Sequence, residues 1–394
     1  MKKRYLTSVI QEDVKEKMVF IAGPRQVGKT TLSQGIAKLF SNSLYLLWDK
    51  KEDRMKMMKS AWPAEASLII LDELHKYKKW KTYIKGEYDH YKNKHHFIVT
   101  GSARLDVYRK GGDSLQGRYH HYRLHPFSIA EMDSKQTPQN VEPFKELKFS
   151  QEFDDKKNTK ALQKLLEFSG FPEPLLAENV RTHRRWQKQR MERFFREDIR
   201  DLGNIQDLSS MQLLIDLLPE KAANLLSLNS IREDLDVSHK ALSRWVTILE
   251  KLYFCYLIRP FNHKFIRSIK KQPKMYLWDW TLLQDKGLRY ENLIASHLLK
   301  YCHFLEDYHG YKAELFFLRD VDKREVDFLV TVDRKPWFAV EAKSGSQKPS
   351  PHLKYFKSHI NIPYVYQVVC EDCEDVVVDG IRVMPASKFL LGLV

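Results

Sequence analysis

The chain has 394 residues, more than one compact core usually supports, so its length alone predicts two to four domains. Its formal net charge of +15 favours a polyanionic partner, with nucleic acid as the first candidate and a merely basic protein as the alternative. Its four cysteines are too scattered for a disulfide framework and no apolar run reaches the roughly 20 residues that cross a bilayer, so we expect a cytoplasmic protein with no membrane partner.

Short apolar runs in the first 130 residues alternate with helix-length segments. This alternation predicts an α/β domain over residues 1–150, with a largely parallel sheet that is covered by helices on both faces. The predicted strands are 18–22, 43–48, 67–71, 96–100 and 119–124.

A glycine-rich loop follows the first predicted strand and precedes a helix that begins near Thr30. In a P-loop, such glycines let backbone N–H groups and the helix N-terminus point at phosphates, while Lys29 neutralises phosphate charge. A chance glycine turn is the weaker alternative, because both flanking elements are predicted. The predicted ATP-binding residues are Gly23, Pro24, Arg25, Gln26, Val27, Gly28, Lys29, Thr30 and Thr31.

Two adjacent carboxylates, Asp72 and Glu73, follow the third predicted strand. Asp72 and the Thr30 hydroxyl are predicted to hold Mg²⁺ beside ATP. Glu73 is predicted to be catalytic, because a second carboxylate at this place can orient and polarise the attacking water. Alone, the pair would be two solvated carboxylates at a strand end, but together with the P-loop it predicts ATP hydrolysis.

Two more polar positions complete the predicted nucleotide site. Ser102, with Thr100 as the alternative, follows the fourth predicted strand, where a hydroxyl beside Asp72 can sense the γ-phosphate. Arg118 precedes the fifth predicted strand. It is predicted either to reach a neighbouring subunit's nucleotide as an arginine finger or to form a surface salt bridge.

Several short segments carry a family resemblance: residues 19–32, 71–73, 100–103, 115–118, 124–128, 170–173 and 276–279. They resemble prokaryotic AAA-family ATPases that have a C-terminal nuclease-like domain of poorly defined function. The resemblance covers nearly the whole chain, and the block from Gly117 to Phe127 is more diagnostic than the Walker motifs. It implies an AAA-type core and a homo-oligomer, with a ring as one arrangement. Ser169 departs from the family, which often has glycine there, and this is expected to affect only a helix-end turn.

The middle of the chain is predicted to be mainly helical, with a helical lid over residues 151–204 and a winged helix over residues 205–282. Asn229-Ser230 is predicted to cap a helix that ends at Leu235, and Ser238 to cap a second helix that runs to about Leu252.

The second of these helices and the hairpin after it predict a grip for duplex or branched DNA. The helix leaves a polar face for a major groove, and basic residues of the hairpin wing would hold phosphates. A packing or protein-interaction module is the alternative. The polar face consists of Lys240, Ser243, Arg244, Thr247 and Lys251, and the basic wing residues are Lys264, Arg267, Lys270, Lys271 and Lys274.

Residues 283–394 are predicted to form a second α/β domain, in which two alternating segments make a hairpin. Its pairing brings Asp327, Glu341 and Lys343 together, since alternate residues of a strand share one face. This is the arrangement of PD-(D/E)xK nucleases, and all three residues are predicted to be catalytic.

Metal binding is part of the same prediction. Asp327 and Glu341 are expected to hold Mg²⁺, with Mn²⁺ as the alternative, while the lysine helps to activate water or stabilise developing charge. Glu291, on the helix before the hairpin, is predicted to add a third carboxylate ligand. The alternative is an ordinary cross-face ion pair without chemistry.

Together these features predict an α/β chain with an AAA-type P-loop ATPase, a helical lid, a winged helix and a PD-(D/E)xK nuclease-like domain. We predict an ATP-binding and ATP-hydrolysing DNA-binding protein that acts in DNA processing. One alternative is a non-cleaving, ATP-driven remodeller or binder of branched or ended DNA. The other is an ATP-gated regulatory interaction protein without DNA contact.

Overall fold

The computed structural model describes residues 2–101, 115–132, 141–149, 155–199, 207–262, 271–345, 348–371 and 373–394. The chain divides into two compact units, Met1–His125 with Lys251–Tyr253, and Pro126–Glu250 with Phe254–Val394. In the described ranges, no helix has the length and apolarity to span a membrane.

A parallel sheet forms the core of the first unit. Its strands are β1 (Met18–Ala22), β2 (Ser43–Leu47), β3 (Leu68–Asp72), β4 (His96–Thr100) and β5 (Tyr119–Arg123). They lie in the order β2-β3-β4-β1-β5. Every residue of β1 and β3 is buried, as expected for central strands covered on both faces. The predicted parallel sheet is confirmed, and each strand end lies within one residue of its expected place.

Helices and aromatic contacts cover this sheet. The helices are α1 (Thr7–Asp13), α2 (Lys29–Ala37), α3 (Lys51–Met58) and α4 (Trp80–Tyr91). The ring of Phe20 on β1 lies 5.7 Å from that of Trp80 and stacks on Tyr119 at 4.5 Å. These contacts fix β1, the strand that leads into the P-loop, against α4 and β5.

The second unit begins with a series of helices. They are α5 (Ile129–Met132), α6 (Asp155–Phe168), α7 (Pro172–Ala177), α8 (Val180–Arg193), a π-helical turn at Phe194–Ile199, α9 (Leu208–Lys221), α10 (Leu228–Leu235) and α11 (His239–Lys251). Directly after α6, Ser169 has a φ of 69°, in the region that favours glycine. Its Oγ donates a hydrogen bond to Asp279 Oδ1 at 2.8 Å, so this serine keeps the helix-end turn and adds a contact.

The two helices predicted around residue 236 are present as α10 and α11. Asp236, with a φ of 50°, turns the chain between them. Ser238 Oγ caps α11 by accepting from the Ala241 N–H, as predicted. The cap of α10 is Ser227 rather than the predicted Asn229-Ser230, because the Ser227 oxygen accepts from the Ser230 N–H.

An eight-stranded sheet completes the second unit. Its strands are β6 (Cys255–Pro260), β7 (Lys274–Leu277), β8 (Ala313–Arg319), β9 (Glu325–Val332), β10 (Lys335–Lys343), β11 (Tyr364–Val369), β12 (Val376–Val378) and β13 (Ile381–Pro385). They lie in the order β12-β13-β11-β10-β9-β8-β6-β7. The accompanying helices are α12 (Lys286–Asp307), α13 (Pro351–His359) and α14 (Ala386–Leu391).

The hairpin predicted as a wing differs from expectation. Strands β6 and β7 pair antiparallel, but β6 also pairs in parallel with β8, so the hairpin forms the edge of the C-terminal sheet. Lys274 is buried there and does not face solvent as a phosphate grip would. The wing residues Lys264, Arg267 and Lys270 lie outside the described ranges.

The predicted C-terminal hairpin is present as β9 and β10. Asp333 and Arg334 connect the strands with φ values of 49° and 65°. A two-residue connection with positive φ at both positions matches the right-handed twist of the flanking strands. This register places Phe328 opposite Val340 and leads directly to Asp327 and Glu341.

Gly170→Ala should destabilise the second unit by about 1–3 kcal/mol, because overpacking at a closed position forces the surroundings to move. A Cβ at Gly170 would lie 2.8 Å from the Phe127 carbonyl oxygen and 2.8 Å from the Trp280 ring. Urea unfolding measures the change. Gly86→Ala in α4 is the control: its Cβ meets nothing within 4 Å, and higher helix propensity should stabilise the protein slightly. Equal stability of the two variants would contradict this packing.

Candidate functional site

The P-loop adopts a backbone that requires its two glycines. Gly23 has a φ of 147°, and a Cβ there would lie 2.4 Å from the Leu124 carbonyl oxygen. Gly28 has a φ of 101° and lies at the N-terminus of α2. The first N–H groups of α2 are therefore directed into the P-loop, where phosphate oxygens would bind.

Lys29 lies inside this loop and is 6% exposed. Its Nζ donates to the carbonyl oxygens of Gly23 and Pro24, at 2.9 Å in both cases. The loop therefore holds a positive charge at the place where phosphate oxygens would bind.

Asp72 ends β3 and is 1% exposed. Its Oδ2 accepts hydrogen bonds from Thr30 Oγ1 at 2.7 Å and from the Tyr45 hydroxyl at 2.6 Å, and its Oδ1 accepts from Thr100 Oγ1. A carboxylate beside a threonine hydroxyl is an oxygen donor set that Mg²⁺ prefers. The side chains present therefore fit the predicted Mg²⁺ ligands Thr30 and Asp72.

The sequence prediction missed Tyr45. Burial, and then its hydrogen bond to Asp72, raise the pKa of the Tyr45 hydroxyl, so it stays a protonated donor. The sequence contained one relevant signal, the alternation of β2, which directs residues 45 and 47 to one face of the sheet. Whether that face meets Asp72 depends on the order of the strands, which the alternation does not give.

Glu73 directly follows β3 with a φ of 58°, unusual for a residue other than glycine. Burial raises the pKa of its carboxyl, and the charges of Lys29 and Lys76 partly offset this. The Glu73 carboxylate lies 3.6 Å from His75 Nε2 and 3.8 Å from Lys76 Nζ. A partly buried carboxylate next to Asp72 has the chemistry that the sequence assigned to it, and its catalytic role stays a prediction.

Of the two remaining predicted nucleotide contacts, the structure describes Arg118. Arg118 pairs with Asp89, with 2.7 Å between Nε and Oδ1 and 3.1 Å between Nη2 and Oδ2. This ion pair is the alternative that the sequence offered, and the arginine-finger role stays a prediction. Ser102 lies outside the described residues, whereas Thr100 contacts Asp72 as described above.

The C-terminal hairpin brings the predicted trio together. The Asp327 N–H donates to Glu341 Oε2 at 3.4 Å, and the Ala342 N–H donates to Asp327 Oδ2 at 2.9 Å. Lys343 Nζ lies 2.7 Å from Glu341 Oε1. Residues from adjacent strands thus form one cluster, as the alternation predicted.

Lys274 enters the same cluster from β7, which corrects its assignment to an exposed wing. Its Nζ lies 3.2 Å from Glu291 Oε1, 2.6 Å from Glu325 Oε1 and 3.7 Å from Asp327 Oδ1. The Tyr276 hydroxyl also donates to Glu291 Oε1, at 2.7 Å. The predicted carboxylate Glu291 is therefore present at the cluster, together with a lysine that sequence reasoning placed elsewhere.

Burial and nearby charges both shift the pKa values of these groups. Burial raises the pKa of Glu291 and of Glu341 to about 7 each, and the charge of Asp327 adds to both effects. Burial also raises the pKa of Asp327. For Lys274, burial lowers the pKa, but the charges of the surrounding carboxylates outweigh it and hold the pKa above its ordinary value.

The arrangement does not fit the predicted divalent metal ion. Throughout the described ranges, no group of three or more His, Cys, Asp or Glu side chains is placed to hold a metal. In the cluster, the Lys274 ammonium lies between the carboxylates of Glu291 and Asp327, 3.2 and 3.7 Å from their oxygens. The ligand set Glu291, Asp327 and Glu341 stays a sequence prediction.

Comparison with known families identifies the first unit. Residues 15–133 match the family model described as an AAA domain. This segment is an AAA-type P-loop ATPase domain, and ATP is its nucleotide. Residues 159–288 match a domain of unknown function, DUF8612, and residues 286–389 match another, DUF4143. The cluster spans both, since Lys274 lies in the first of these segments and Asp327 in the second.

Individual proteins are similar over most of the chain. An uncharacterized protein of Methanocaldococcus jannaschii is 23% identical over 384 residues, which are 89% of this chain and 82% of that protein. A Walker-type ATPase of Pyrococcus abyssi is 14% identical, covers 73% of this chain and 96% of its own, and has a TM-score of 0.42.

Two further solved structures show weaker superpositions. The Thermotoga maritima RuvB Holliday junction branch migration motor is 16% identical over 68% of this chain and 93% of its own, with a TM-score of 0.30. The Aeropyrum pernix ORC1 protein in complex with DNA is 10% identical over 75% and 94%, with a TM-score of 0.34. The domain assignment therefore rests on the match over residues 15–133.

The free energy of unfolding of Glu341→Gln, relative to that of the native protein, should increase as pH rises from 5 to 8. A carboxyl whose pKa rises to about 7 on folding favours the folded state below its ordinary pKa of 4.5, and this contribution is lost as pH rises through 7. Glutamine cannot ionise, so the variant should gain about 1–3 kcal/mol relative to the native protein across this window. Thermal unfolding in EDTA measures it. The exposed Glu374→Gln is the control, and a difference that does not change with pH would contradict the assignment.

Proposed function

We propose that the chain is an ATP-hydrolysing, DNA-binding protein that acts in DNA processing. The observation that carries this proposal is the 2.7 Å hydrogen bond from Thr30 Oγ1 to Asp72, which joins the P-loop to the acidic strand end beside Glu73. The AAA-type domain supplies the ATPase. In this proposal, ATP hydrolysis by this domain drives DNA processing.

In this proposal each residue of the nucleotide site has one role. Lys29 neutralises charge on the β- and γ-phosphates, and Thr30 with Asp72 holds Mg²⁺. When bound, Mg²⁺ neutralises developing phosphate charge. Glu73 accepts a hydrogen bond from the attacking water and orients it. Arg118 would act in a neighbouring subunit of a homo-oligomer, after leaving Asp89.

Exposed positive charge supports the DNA contact. On α11, Leu242, Trp245, Val246 and Leu249 are buried, while Lys240, Arg244, Thr247 and Lys251 are exposed. On α8, the exposed residues include Arg181, Arg184, Arg185 and Lys188. With the net charge of +15, these faces favour binding to phosphate backbones.

The C-terminal segment has the order expected of a nuclease-like fold. Helix α12 precedes the antiparallel strands β8, β9 and β10, and α13 then leads to β11, which pairs in parallel with β10. This order and the trio on β9 and β10 support a nuclease-like domain. Whether it cleaves DNA separates two forms of the proposal.

The non-cleaving form is favoured by one observation. Lys274 Nζ lies within 3.7 Å of three carboxylates, so the cluster already contains a cation. In this form the C-terminal segment binds branched or ended DNA, and ATP hydrolysis drives remodelling.

Lys29→Ala should abolish ATP binding, because it removes the charge that faces the phosphates. Glu73→Gln should bind ATP with nearly native affinity but turn over about 10²-fold or more slowly, the usual range for loss of a general base. Fluorescent ATP-analogue titration and phosphate release measure the two effects. The exposed Glu65→Gln should change neither. Native turnover in both site variants would refute the assigned site.

Lys240→Ala/Arg244→Ala should weaken duplex and branched DNA binding by about tenfold at low salt and reduce the salt dependence, since phosphate contacts release counterions. Gel shift across a salt series measures both. Lys156→Ala/Lys160→Ala on α6 removes the same exposed charge and should bind almost as the native protein does. Equal losses in the two double variants would contradict an α11 contact, and no binding at low salt would favour the regulatory alternative.

The same DNA substrates distinguish the two forms when Mg²⁺ or Mn²⁺ is added. Cleavage by the native protein that is lost in Asp327→Ala supports the nuclease form. Binding without cleavage supports the non-cleaving form.

A further inference from the structure

The side chain of Lys274 is directed inward from the edge of the C-terminal sheet. It is the first residue of β7, and it is 5% exposed. Tyr276, two residues later on the same strand, reaches the same Glu291 carboxylate through its hydroxyl. Strand β7 therefore presents two donors to one carboxylate of α12, and neither faces solvent as a DNA contact would.

The ammonium meets carboxylates from two elements. Glu291 lies on α12, while Glu325 and Asp327 lie on β9. Its distances to their oxygens are 3.2, 2.6 and 3.7 Å. Two of these oxygens, on Glu291 and Glu325, are within hydrogen-bonding distance of the ammonium, and Asp327 adds an ion pair at 3.7 Å.

The remaining charges are paired as well. Arg319 Nη1 lies 2.5 Å from Glu325 Oε2, and Lys343 Nζ lies 2.7 Å from Glu341 Oε1. Four carboxylates thus face three cations. A divalent ion needs carboxylate oxygens at about 2.0–2.6 Å around a shared point, whereas here the Lys274 ammonium lies among three of these carboxylates, with its Nζ 2.6–3.7 Å from one oxygen of each.

We propose that the Lys274 ammonium is the resident cation of this cluster and keeps a divalent metal ion out of it. The ammonium links α12 to β9 by charge, as a metal ion would, but offers no open coordination position for water. It is a positioning residue for Glu291 and Asp327. Without it, buried carboxylates would repel one another, and a divalent cation would relieve that repulsion.

This inference extends the non-cleaving form of the proposed function. Its biological role rests on that form, whereas the exclusion of a metal ion does not. Loss of DNA binding would refute that form and leave the metal result standing. Conversely, Mn²⁺ binding at the native cluster would overturn the inference whether or not DNA binds.

The test is Mn²⁺ binding to the full chain, measured by electron paramagnetic resonance of free Mn²⁺ without nucleotide. Native protein and Asp327→Asn should bind Mn²⁺ equally, because the cluster contributes no site. Lys274→Met should bind one more Mn²⁺ than the native protein, with a Kd at least about tenfold lower than that of any Mn²⁺ binding at the native cluster. Adding Asp327→Asn to this variant should remove the extra binding. Mn²⁺ should also raise the Tm of Lys274→Met alone.

Lys274→Arg is the matched control, because it keeps a cation and should bind no additional Mn²⁺. If Lys274→Met does not fold, the comparison of native protein with Asp327→Asn still decides. Mn²⁺ binding by the native protein that disappears in Asp327→Asn overturns the proposal. So does a folded Lys274→Met that binds Mn²⁺ no better than the native protein.

Discussion

In the first unit, the Asp72 carboxylate is buried, and the nucleotide site is organised around its need for donors. Three hydroxyls meet that need: Thr30 from α2, Tyr45 from β2 and Thr100 from β4. Because these residues come from three elements, one carboxylate fixes the P-loop helix relative to two neighbouring strands. Displacing any of them would leave a buried charge with too few donors.

The second unit meets the same constraint with cations. Burial raises the pKa values of Asp327, Glu341 and Glu291, and the charges of Lys274 and Lys343 oppose that effect. The chemical difference matters. Hydroxyl donors leave the charge of Asp72 available to Mg²⁺, whereas an ammonium cancels charge. This contrast distinguishes the oxygen donors around Asp72, which fit a metal ion, from the Lys274 cluster, where an ammonium already lies among the carboxylates.

The first unit could be predicted closely from sequence because strands β1 to β4 contain apolar runs and the P-loop is one contiguous segment. The Asp327 and Glu341 pairing could be predicted because a short hairpin fixes its own register. Tyr45 could not, since its contact with Asp72 joins residues 27 apart and depends on strand order. Lys274 was misplaced because a lysine in a basic segment usually faces solvent. The parallel pairing of β6 with β8 makes the hairpin part of the C-terminal sheet, and Lys274 is buried at that edge.

That pairing also bears on how this architecture can change over evolution. The carboxylates Glu291 and Asp327, which Lys274 contacts, lie within the segment that matches DUF4143, while Lys274 lies in the segment that matches DUF8612. The two segments are thus coupled by charge as well as by a common sheet. A recombination event that exchanged one segment alone would separate these buried acids from their counterion, which would destabilise the sheet edge where the segments meet.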